Sequence, residues 1–250
     1  MSLFDDPGLF GRQWAAGYDE SGNPDPAPAV DFLAGLADGG PVLELAIGTG
    51  RVAVPLAARG LRVEGVEGSP EMVQKLRAKP GGAGIPVVLG DLADVAVQGR
   101  FPLAYLVFNT LFNLVDADRQ AACFRNVARV LAPGGAFVIE AFVPNPADFE
   151  RDERHPQVRT LTEDEASFRL HRYDRAAQTF VRQRIGFTAT GVRLQPFGMR
   201  YLWPGQIDRL AAAAGLRLAD RYADWHRSPF TAASTDHVSV YRAAPAFTQP

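Results

Sequence analysis

Short apolar segments alternate with helical patterns through the middle of the chain. Apolar runs at about 42–46, 61–67, 85–89, 103–108 and 136–141 have the length of buried strands. The segments between them carry apolar residues at helical spacing and end at glycine or proline. Nearly continuous apolar runs are typical of parallel strands, which are buried on both faces. The alternation therefore predicts a doubly wound α/β fold with a mostly parallel sheet.

The pattern changes after residue 144. A charged segment at 148–165 leads into three β-like runs, at 167–173, 179–188 and 192–202, with turn-like sequences between them. Successive strands joined by short turns predict an inserted antiparallel meander.

The α/β pattern returns with a helix that begins at Pro204 and ends at Gly215. Two strands follow, at 216–222 and 236–242, and no helix lies between them, which predicts a terminal antiparallel hairpin. These strands complete a seven-stranded sheet. The chain thus divides into an N-terminal lid or helical segment (1–40), a core in two parts (41–144 and 203–243) and an inserted antiparallel β lid (145–202).

Charge and composition exclude several classes of protein. The formal net charge of −2 provides no general attraction for nucleic acid or an anionic membrane. No apolar run is long enough to span a membrane, and the first residues lack the pattern of a signal peptide. The single cysteine, Cys123, excludes an internal disulfide. We therefore expect a soluble cytoplasmic protein, a monomer or homodimer, with neither nucleic acid nor membrane as its partner.

The turn after the first strand is the main candidate for ligand binding. It runs from Glu44 to Gly50 and has glycines at Gly48 and Gly50, where the backbone can approach a ligand closely. One interpretation is a dinucleotide site, because Gly48-x-Gly50-x-x-Ala53 fits G-x-G-x-x-A and Glu67 ends the next strand. That interpretation predicts an NAD(P)-dependent oxidoreductase.

A second interpretation rests on a family resemblance. Glu44-x-Ala46-x-Gly48-x-Gly50 resembles motif I, E/D-x-G-x-G-x-G, of the class I S-adenosylmethionine-dependent methyltransferases, with Ala46 in place of the first glycine. Gly90-Asp91-Leu92 resembles the adenine-binding motif of that family, and the terminal hairpin matches its antiparallel seventh strand. The resemblance covers most of 41–143 and 203–242. It implies S-adenosylmethionine as cofactor, S-adenosylhomocysteine as product, and no metal ion.

The resemblance also implies roles for individual residues. The turn backbone would surround the methionine part of the cofactor, and Glu67 would accept hydrogen bonds from both ribose hydroxyls. Asp91 and Leu92 would bind the adenine, Met72 would pack on its face, and Asn109 would lie near the cofactor's amino group. The expected cofactor-binding residues are Tyr18, Glu44, Ala46, Ile47, Gly48, Gly50, Glu67, Gly68, Met72, Gly90, Asp91, Leu92, Asn109 and Thr110.

Catalytic residues are harder to predict, because methyl transfer from a sulfonium requires mainly alignment and the exclusion of water. A general base is needed only if the acceptor must lose a proton. The candidates are His171 and Tyr173, on one face of a predicted lid strand, and His226, before the last strand. For each histidine, a structural role is the alternative. The candidate acceptor contacts are Trp14, Phe112, Asn113, Arg200 and Tyr201.

The predicted lid is rich in arginine. One hypothesis is that some of these residues bind a carboxylate or phosphate of the acceptor, and the alternative is a solvated outer face. The arginines concerned are Arg169, Arg172, Arg182, Arg184, Arg193 and Arg200.

These observations predict a methyltransferase that acts on a small metabolite, with the acceptor atom (O, N or C) left open. The segment after the fourth strand lacks the D/N-P-P-Y/F motif typical of methyltransferases that act on nucleic-acid bases or protein glutamine. The alternatives are the NAD(P)-dependent oxidoreductase and a non-catalytic regulatory or scaffold protein that binds S-adenosylmethionine.

Overall fold

A seven-stranded sheet forms the centre of the computed structural model, which describes residues 3–20 and 23–244. In sheet order the strands are β10-β11-β5-β4-β1-β2-β3, and only β11 runs antiparallel to its neighbours β5 and β10. This order confirms the predicted doubly wound fold and its terminal antiparallel hairpin. The strands in chain order are β1 (Val42–Leu45), β2 (Val63–Glu67), β3 (Val87–Leu89), β4 (Phe101–Leu106), β5 (Leu131–Phe142), β6 (Gln157–Leu161), β7 (Glu165–Asp174), β8 (Thr179–Thr188), β9 (Gly191–Arg200), β10 (Leu216–Tyr222) and β11 (Asp236–Ala243).

The central strands are buried on both faces. Along β4, Leu103 and Tyr105 belong to one buried apolar cluster, whereas Ala104 and Leu106 belong to another. Successive side chains of a strand point to opposite faces, so the two clusters lie on either side of the sheet. This explains why the sequence of these strands is apolar without alternation.

Helices cover the sheet and several begin where the sequence predicts. Ser69 caps one of them, with its hydroxyl accepting from the Met72 N–H at 3.3 Å, and Pro70 occupies the first position. The helices are α1 (Leu9–Trp14), α2 (Ala27–Ala37), α3 (Ala53–Ala58), α4 (Pro70–Ala78), α5 (Ala117–Val130), α6 (Pro146–Arg154) and α7 (Pro204–Ala213). Within the described ranges, none of them combines the length and apolar character needed to cross a membrane.

A separate four-stranded antiparallel sheet is formed by β6 to β9 in sequential order, and we call it the lid. The three predicted runs correspond to β7, β8 and β9. The charged segment at 148–165, however, contains two elements that the sequence analysis did not predict, α6 and β6. The edge strand β6 leaves Val158 and Leu161 exposed, so it lacks the buried alternation by which strands are recognised. The division into domains remains a prediction.

Candidate cofactor and acceptor site

A cavity of about 1250 Å³ lies at the carboxyl ends of the central strands. Its walls come from the turns after β1 to β4, from the lid and from the N-terminal segment, defined here as residues 3–20. Ligands of open α/β sheets bind at this edge, outside the carboxyl ends of the strands. Most of the residues that the sequence predicts for the site line this cavity.

The turn after β1 has a strained backbone that leaves room for a ligand. Ala46, Gly48 and Gly50 all adopt the left-handed conformation, with φ of 53°, 56° and 76°. A Cβ at Gly50 would lie 2.2 Å from the Leu76 side chain, so only glycine fits there. At Gly48 the nearest atom to such a Cβ would be 3.9 Å away, and the residue lines the cavity. The turn can therefore accommodate the methionine part of S-adenosylmethionine.

Glu67, at the end of β2, holds this turn in place. One carboxylate oxygen accepts from the Gly48 N–H at 2.8 Å, and the other accepts from the Ser69 N–H at 2.9 Å. Burial raises the pKa of the carboxyl group, while these backbone hydrogen bonds act in the opposite direction. Each carboxylate oxygen retains a further lone pair. Because the side chain also lines the cavity, the predicted contact with two ribose hydroxyls fits the geometry.

Asp91, after β3, is held by two partners. It accepts from the Ala93 N–H at 2.7 Å and forms an ion pair with Arg119 of α5. Arg119 also donates to the Asp5 carbonyl at 3.3 Å and lines the cavity. It thereby connects the adenine end of the site to the N-terminal segment. Sequence reasoning missed Arg119, because nothing in its local pattern indicates contact with a residue after a distant strand.

Glu44, in the strand before the glycine-rich turn, has surroundings that favour its neutral carboxyl group. The side chain is buried and accepts from the Tyr105 hydroxyl at 2.7 Å. Burial raises the pKa of Glu44 to about 8, with only partial compensation from Tyr105 and the positive charge of Arg51. In the protein without cofactor, the carboxyl group is therefore protonated at neutral pH.

The turn after β4 contains two consecutive residues in the left-handed conformation, Phe108 and Asn109, with φ of 61° and 64°. The Phe108 N–H donates to Glu140 at 2.8 Å, and the Asn109 side-chain oxygen accepts from the Phe142 N–H at 2.6 Å. These bonds attach the turn to β5. Asn109 and Thr110 line the cavity, as expected of residues near the reacting centre.

Most of the predicted cofactor-binding residues therefore meet at one cavity, although their binding roles stay predictions. Glu44 and Ile47 line a smaller cavity beside the turn, and Gly50 lines neither. Those lining the large cavity are Tyr18, Ala46, Gly48, Glu67, Gly68, Met72, Gly90, Asp91, Leu92, Asn109 and Thr110.

Two of the five predicted acceptor contacts, Trp14 and Asn113, line the cavity. The buried Trp14 Nε1 and Asn113 Oδ1 have no hydrogen-bond partner among the described residues. A buried polar atom without a partner carries a free-energy cost, which a bound ligand can remove. The two side chains thus offer one donor and one acceptor for a ligand.

The other three expected acceptor contacts lie outside the cavity lining. Phe112 is fully buried and packs on the edge of Phe142, with ring centroids 5.0 Å apart. Arg200 donates to the Gln120 side chain at 2.6 Å, and Tyr201 packs on Phe149. The end of β9 packs against α5 and α6, so Arg200 and Tyr201 contact other side chains of the protein rather than the cavity.

The catalytic candidates are also outside the cavity lining. His171 and Tyr173 lie on the same face of β7 as Arg169, which does line the cavity. Helix α6 covers their end of that face, and Tyr173 stacks on Phe149 at 4.4 Å. His226 lies in an exposed loop after β10. No described lining residue is a histidine, so the geometry does not support these three residues as bases.

The lid arginines divide between the two faces of the sheet. Of the six that the sequence analysis considered, Arg169, Arg182 and Arg184 line the cavity. Arg193 donates to the Gln13 carbonyl at 3.0 Å. A further cavity-lining arginine, Arg159, was missed because β6 was not predicted.

Comparison with known proteins decides between the interpretations of this site. A sequence-family profile described as a methyltransferase domain matches residues 42–135. The structure of the CcbJ methyltransferase from Streptomyces caelestis is 38% identical in sequence, with a TM-score of 0.85, and the match covers 96% of this chain and 99% of that one. The chain belongs to the S-adenosylmethionine-dependent methyltransferases.

Other relatives of this methyltransferase agree. The cypemycin N-terminal methyltransferase of a Streptomyces species is 28% identical over 207 residues, which cover 81% of this chain and 83% of that protein. The fold is also that of CalS10 from Micromonospora echinaspora, an amino pentose methyltransferase solved with S-adenosylmethionine bound. That structure is 22% identical, with a TM-score of 0.68, over 92% of this chain and 96% of that one. The methyltransferase therefore uses S-adenosylmethionine, and the dinucleotide interpretation of its glycine-rich turn is wrong.

Proposed function

We propose that this methyltransferase transfers the methyl group to a nitrogen atom of a small metabolite enclosed by the lid. The observation that carries the proposal is the cavity itself. Its volume of about 1250 Å³ is larger than the roughly 300–1000 Å³ typical of a pocket for one small ligand. One wall consists of the predicted cofactor contacts and the opposite wall consists of lid residues. This arrangement supports the binding of two molecules side by side.

The protein has to orient the two molecules and exclude water. S-adenosylmethionine supplies a methyl group already activated on a positively charged sulfur. The turn after β1, Glu67 and Asp91 bind and orient its parts, and their hydrogen bonds to the backbone fix their positions. The lid and the N-terminal segment close the cavity, and orientation in a closed site can account for most of the rate enhancement.

The chemistry of the lining favours nitrogen over oxygen as the acceptor atom. The described lining residues include no histidine, the side chain that most often serves as the general base for an alcohol; the possible bases among them are carboxylates and Tyr18. A neutral amine attacks with its own lone pair and loses its proton afterwards. Burial raises the pKa of Tyr18, whose neutral phenol can hydrogen-bond to such an amine. A curated relative is named as an N-terminal methyltransferase, which agrees with an amine acceptor.

The test uses S-adenosylmethionine with an isotopic label in its methyl group. The purified chain is incubated with the low-molecular-mass fraction of a bacterial extract, and labelled products are detected by mass spectrometry. Half of the extract is first treated with acetic anhydride, which blocks amines. We expect a labelled product only in the untreated half. Equal labelling of the two halves would refute nitrogen as the acceptor.

The Glu67→Ala variant serves as the control for this experiment. It should bind S-adenosylhomocysteine weakly in calorimetry and produce no labelled product. Labelling of macromolecules in a complete extract, with none in the small-molecule fraction, would refute a small acceptor.

A further inference from the structure

Four guanidinium groups stand together on the cavity face of the lid. Arg169 on β7 lies directly opposite Arg184 on β8, and Arg182 lies two positions from Arg184 on the same face. Arg159 on the neighbouring edge strand also lines the cavity. Like charges directly opposite each other on antiparallel strands destabilise a sheet. We therefore expect a negatively charged group, from the protein or from a ligand, to offset the repulsion between these arginines.

The protein itself provides little of that charge. Arg184 donates to the hydroxyls of Thr160 and Ser167, at 3.3 and 3.2 Å, and both acceptors are neutral. The Glu165 carboxylate lies 3.9 Å from Arg184, and the negative charge of Asp152 acts on Arg169 and Arg182, so two carboxylates face four arginines. In the part of the chain that the structure describes, Arg169 has neither a hydrogen bond nor an ion pair. The cluster thus keeps an excess of positive charge.

The position of Arg182 is fixed by a neutral partner. Its Nε donates to His171 Nε2 at 2.9 Å. Burial, and then the positive charge of Arg182, lowers the pKa of His171 to about 4, so the histidine accepts this bond as a neutral imidazole. The bond uses Nε only, which leaves the outer nitrogens of the guanidinium for a planar anion.

The lowered pKa of Arg169 shows the electrostatic cost of placing these arginines together. Burial lowers its pKa to about 10, and the charges of Arg182, Arg159 and Arg184 act in the same direction. A structural arginine is normally placed so that its charge is stabilised. Here the surroundings oppose the charge, which is the condition that a bound anion would reverse.

Charge is distributed unequally between the two ends of the cavity. The arginine cluster lies at the lid end, whereas Arg119 at the other end is neutralised by Asp91. A cationic cofactor fits the acidic end. The carboxylates lining that end are Asp5, Asp6, Glu20, Glu67 and Asp91, of which Asp6 is paired with Arg12 and Asp91 with Arg119.

We propose that Arg159, Arg169, Arg182 and Arg184 bind a carboxylate or phosphate group of the acceptor. The acceptor would then be an amine that carries an anionic group at its opposite end, with the amine directed toward the cofactor. The amine half of this inference rests on the proposed function, whereas the anion site does not. Binding of the anion would set the distance of the amine from the methyl donor.

The test measures anion binding directly. The full chain is saturated with S-adenosylhomocysteine, and inorganic phosphate, acetate or acetamide is added at constant ionic strength. Thermal shift and calorimetry measure the binding. We expect phosphate or acetate to bind and acetamide, the neutral isostere of acetate, to have no effect. Tighter binding of phosphate assigns a phosphorylated acceptor, and tighter binding of acetate assigns a carboxylated one.

Two matched variants separate specific binding from the general stabilising effect of phosphate. Arg169→Gln should weaken anion binding about tenfold or more, the effect of losing one hydrogen bond to a charged group. Arg172→Gln removes an exposed arginine from the other face of the same strand and should change binding less than twofold. In the absence of anions, Arg169→Gln should melt at the same temperature as the wild type or higher, because a repulsive charge is removed.

The two proposals fail in different ways. Equal anion binding by Arg169→Gln and the wild type, or no binding by the wild type, would overturn the anion site. Both variants should retain wild-type affinity for S-adenosylhomocysteine. Equal labelling of the amine-blocked and untreated extracts would count against the proposed function and not against the anion site.

Discussion

At the scale of single residues, Glu44 couples cofactor binding to proton release. Its buried carboxyl group has a pKa raised to about 8, chiefly by burial, and it holds a proton at neutral pH. A cation bound in the adjacent turn favours the carboxylate, so binding lowers this pKa and releases the proton. The affinity for S-adenosylmethionine should therefore rise as the pH rises toward about 8, by at most about tenfold per pH unit.

The measurement is calorimetry across this pH range, repeated in two buffers that differ in ionisation enthalpy. In Glu44→Gln the slope of affinity against pH should become shallower, because the side chain at position 44 no longer titrates. In Tyr105→Phe the carboxyl group loses a hydrogen bond that lowers its pKa, so the rise should move to higher pH. An unchanged slope in Glu44→Gln would remove Glu44 from the coupling.

At the scale of secondary-structure elements, α1 closes the cofactor end of the cavity by packing on α4. The contact is close at Gly11, where a Cβ would lie 1.9 Å from the Ser69 hydroxyl. Gly11→Ala should push α1 away from the start of α4, and overpacking of this kind typically costs about 1–3 kcal/mol. Since α1 covers the site while the central sheet stays intact, we expect weaker binding of S-adenosylhomocysteine.

The matched control is Gly35→Ala in α2, where no atom lies within 4 Å of the added Cβ. This variant should bind the cofactor product like the wild type and be slightly more stable, because alanine is favoured over glycine within a helix. Both variants are compared by calorimetry and by urea unfolding. Wild-type affinity in Gly11→Ala would show that the docking of α1 does not limit binding.

Elements with a strong periodic signal could be predicted from the sequence. The central strands β4 and β5 are largely apolar and buried on both faces, and Ser69 with Pro70 marks the start of α4. The polar elements could not be predicted in this way. Helix α6 buries only Phe149 and is otherwise charged, and β6 is an exposed edge strand. Neither element has a periodic apolar pattern that would predict its position in the sequence.

The failure to predict α6 also explains why His171 and Tyr173 were expected to reach the site. Alternation along β7 correctly places Arg169, His171 and Tyr173 on one face. Which of them reaches the cavity depends on where α6 lies on that face. Residues at strand ends, such as Glu67 and Asp91, could be placed because all parallel strands end at one edge. The lid residues depend on packing between separate parts of the chain, which local sequence does not encode.

At the scale of the whole molecule, the stability of the fold should depend on its buried histidines. His237 on β11 is fully buried, and its Nδ1 lies 2.8 Å from the Ser239 hydroxyl. Burial, with a further contribution from Arg221, lowers its pKa from 6.5 to about 4. His171 is lowered to about 4 as well. Between these values the unfolded chain binds more protons than the folded protein.

The sign of the pH dependence follows from this difference. The contribution of each histidine is present above about pH 6.5 and is lost as the pH falls toward about 4. One pKa unit corresponds to about 1.4 kcal/mol, so His237 can contribute up to about 3 kcal/mol. Glu44 has the opposite sign, since its raised pKa favours the folded state at lower pH. The comparison must therefore be made between variants rather than on the wild type alone.

Urea unfolding of the wild type and His237→Gln over this pH range isolates one contribution. The free energy of unfolding of the wild type should decrease more steeply on acidification than that of the variant, because only the wild type must protonate His237 on unfolding. His226→Gln, which replaces an exposed histidine, should retain the wild-type slope. If His237→Gln also retains that slope, proton uptake by His237 does not destabilise the folded protein in acid.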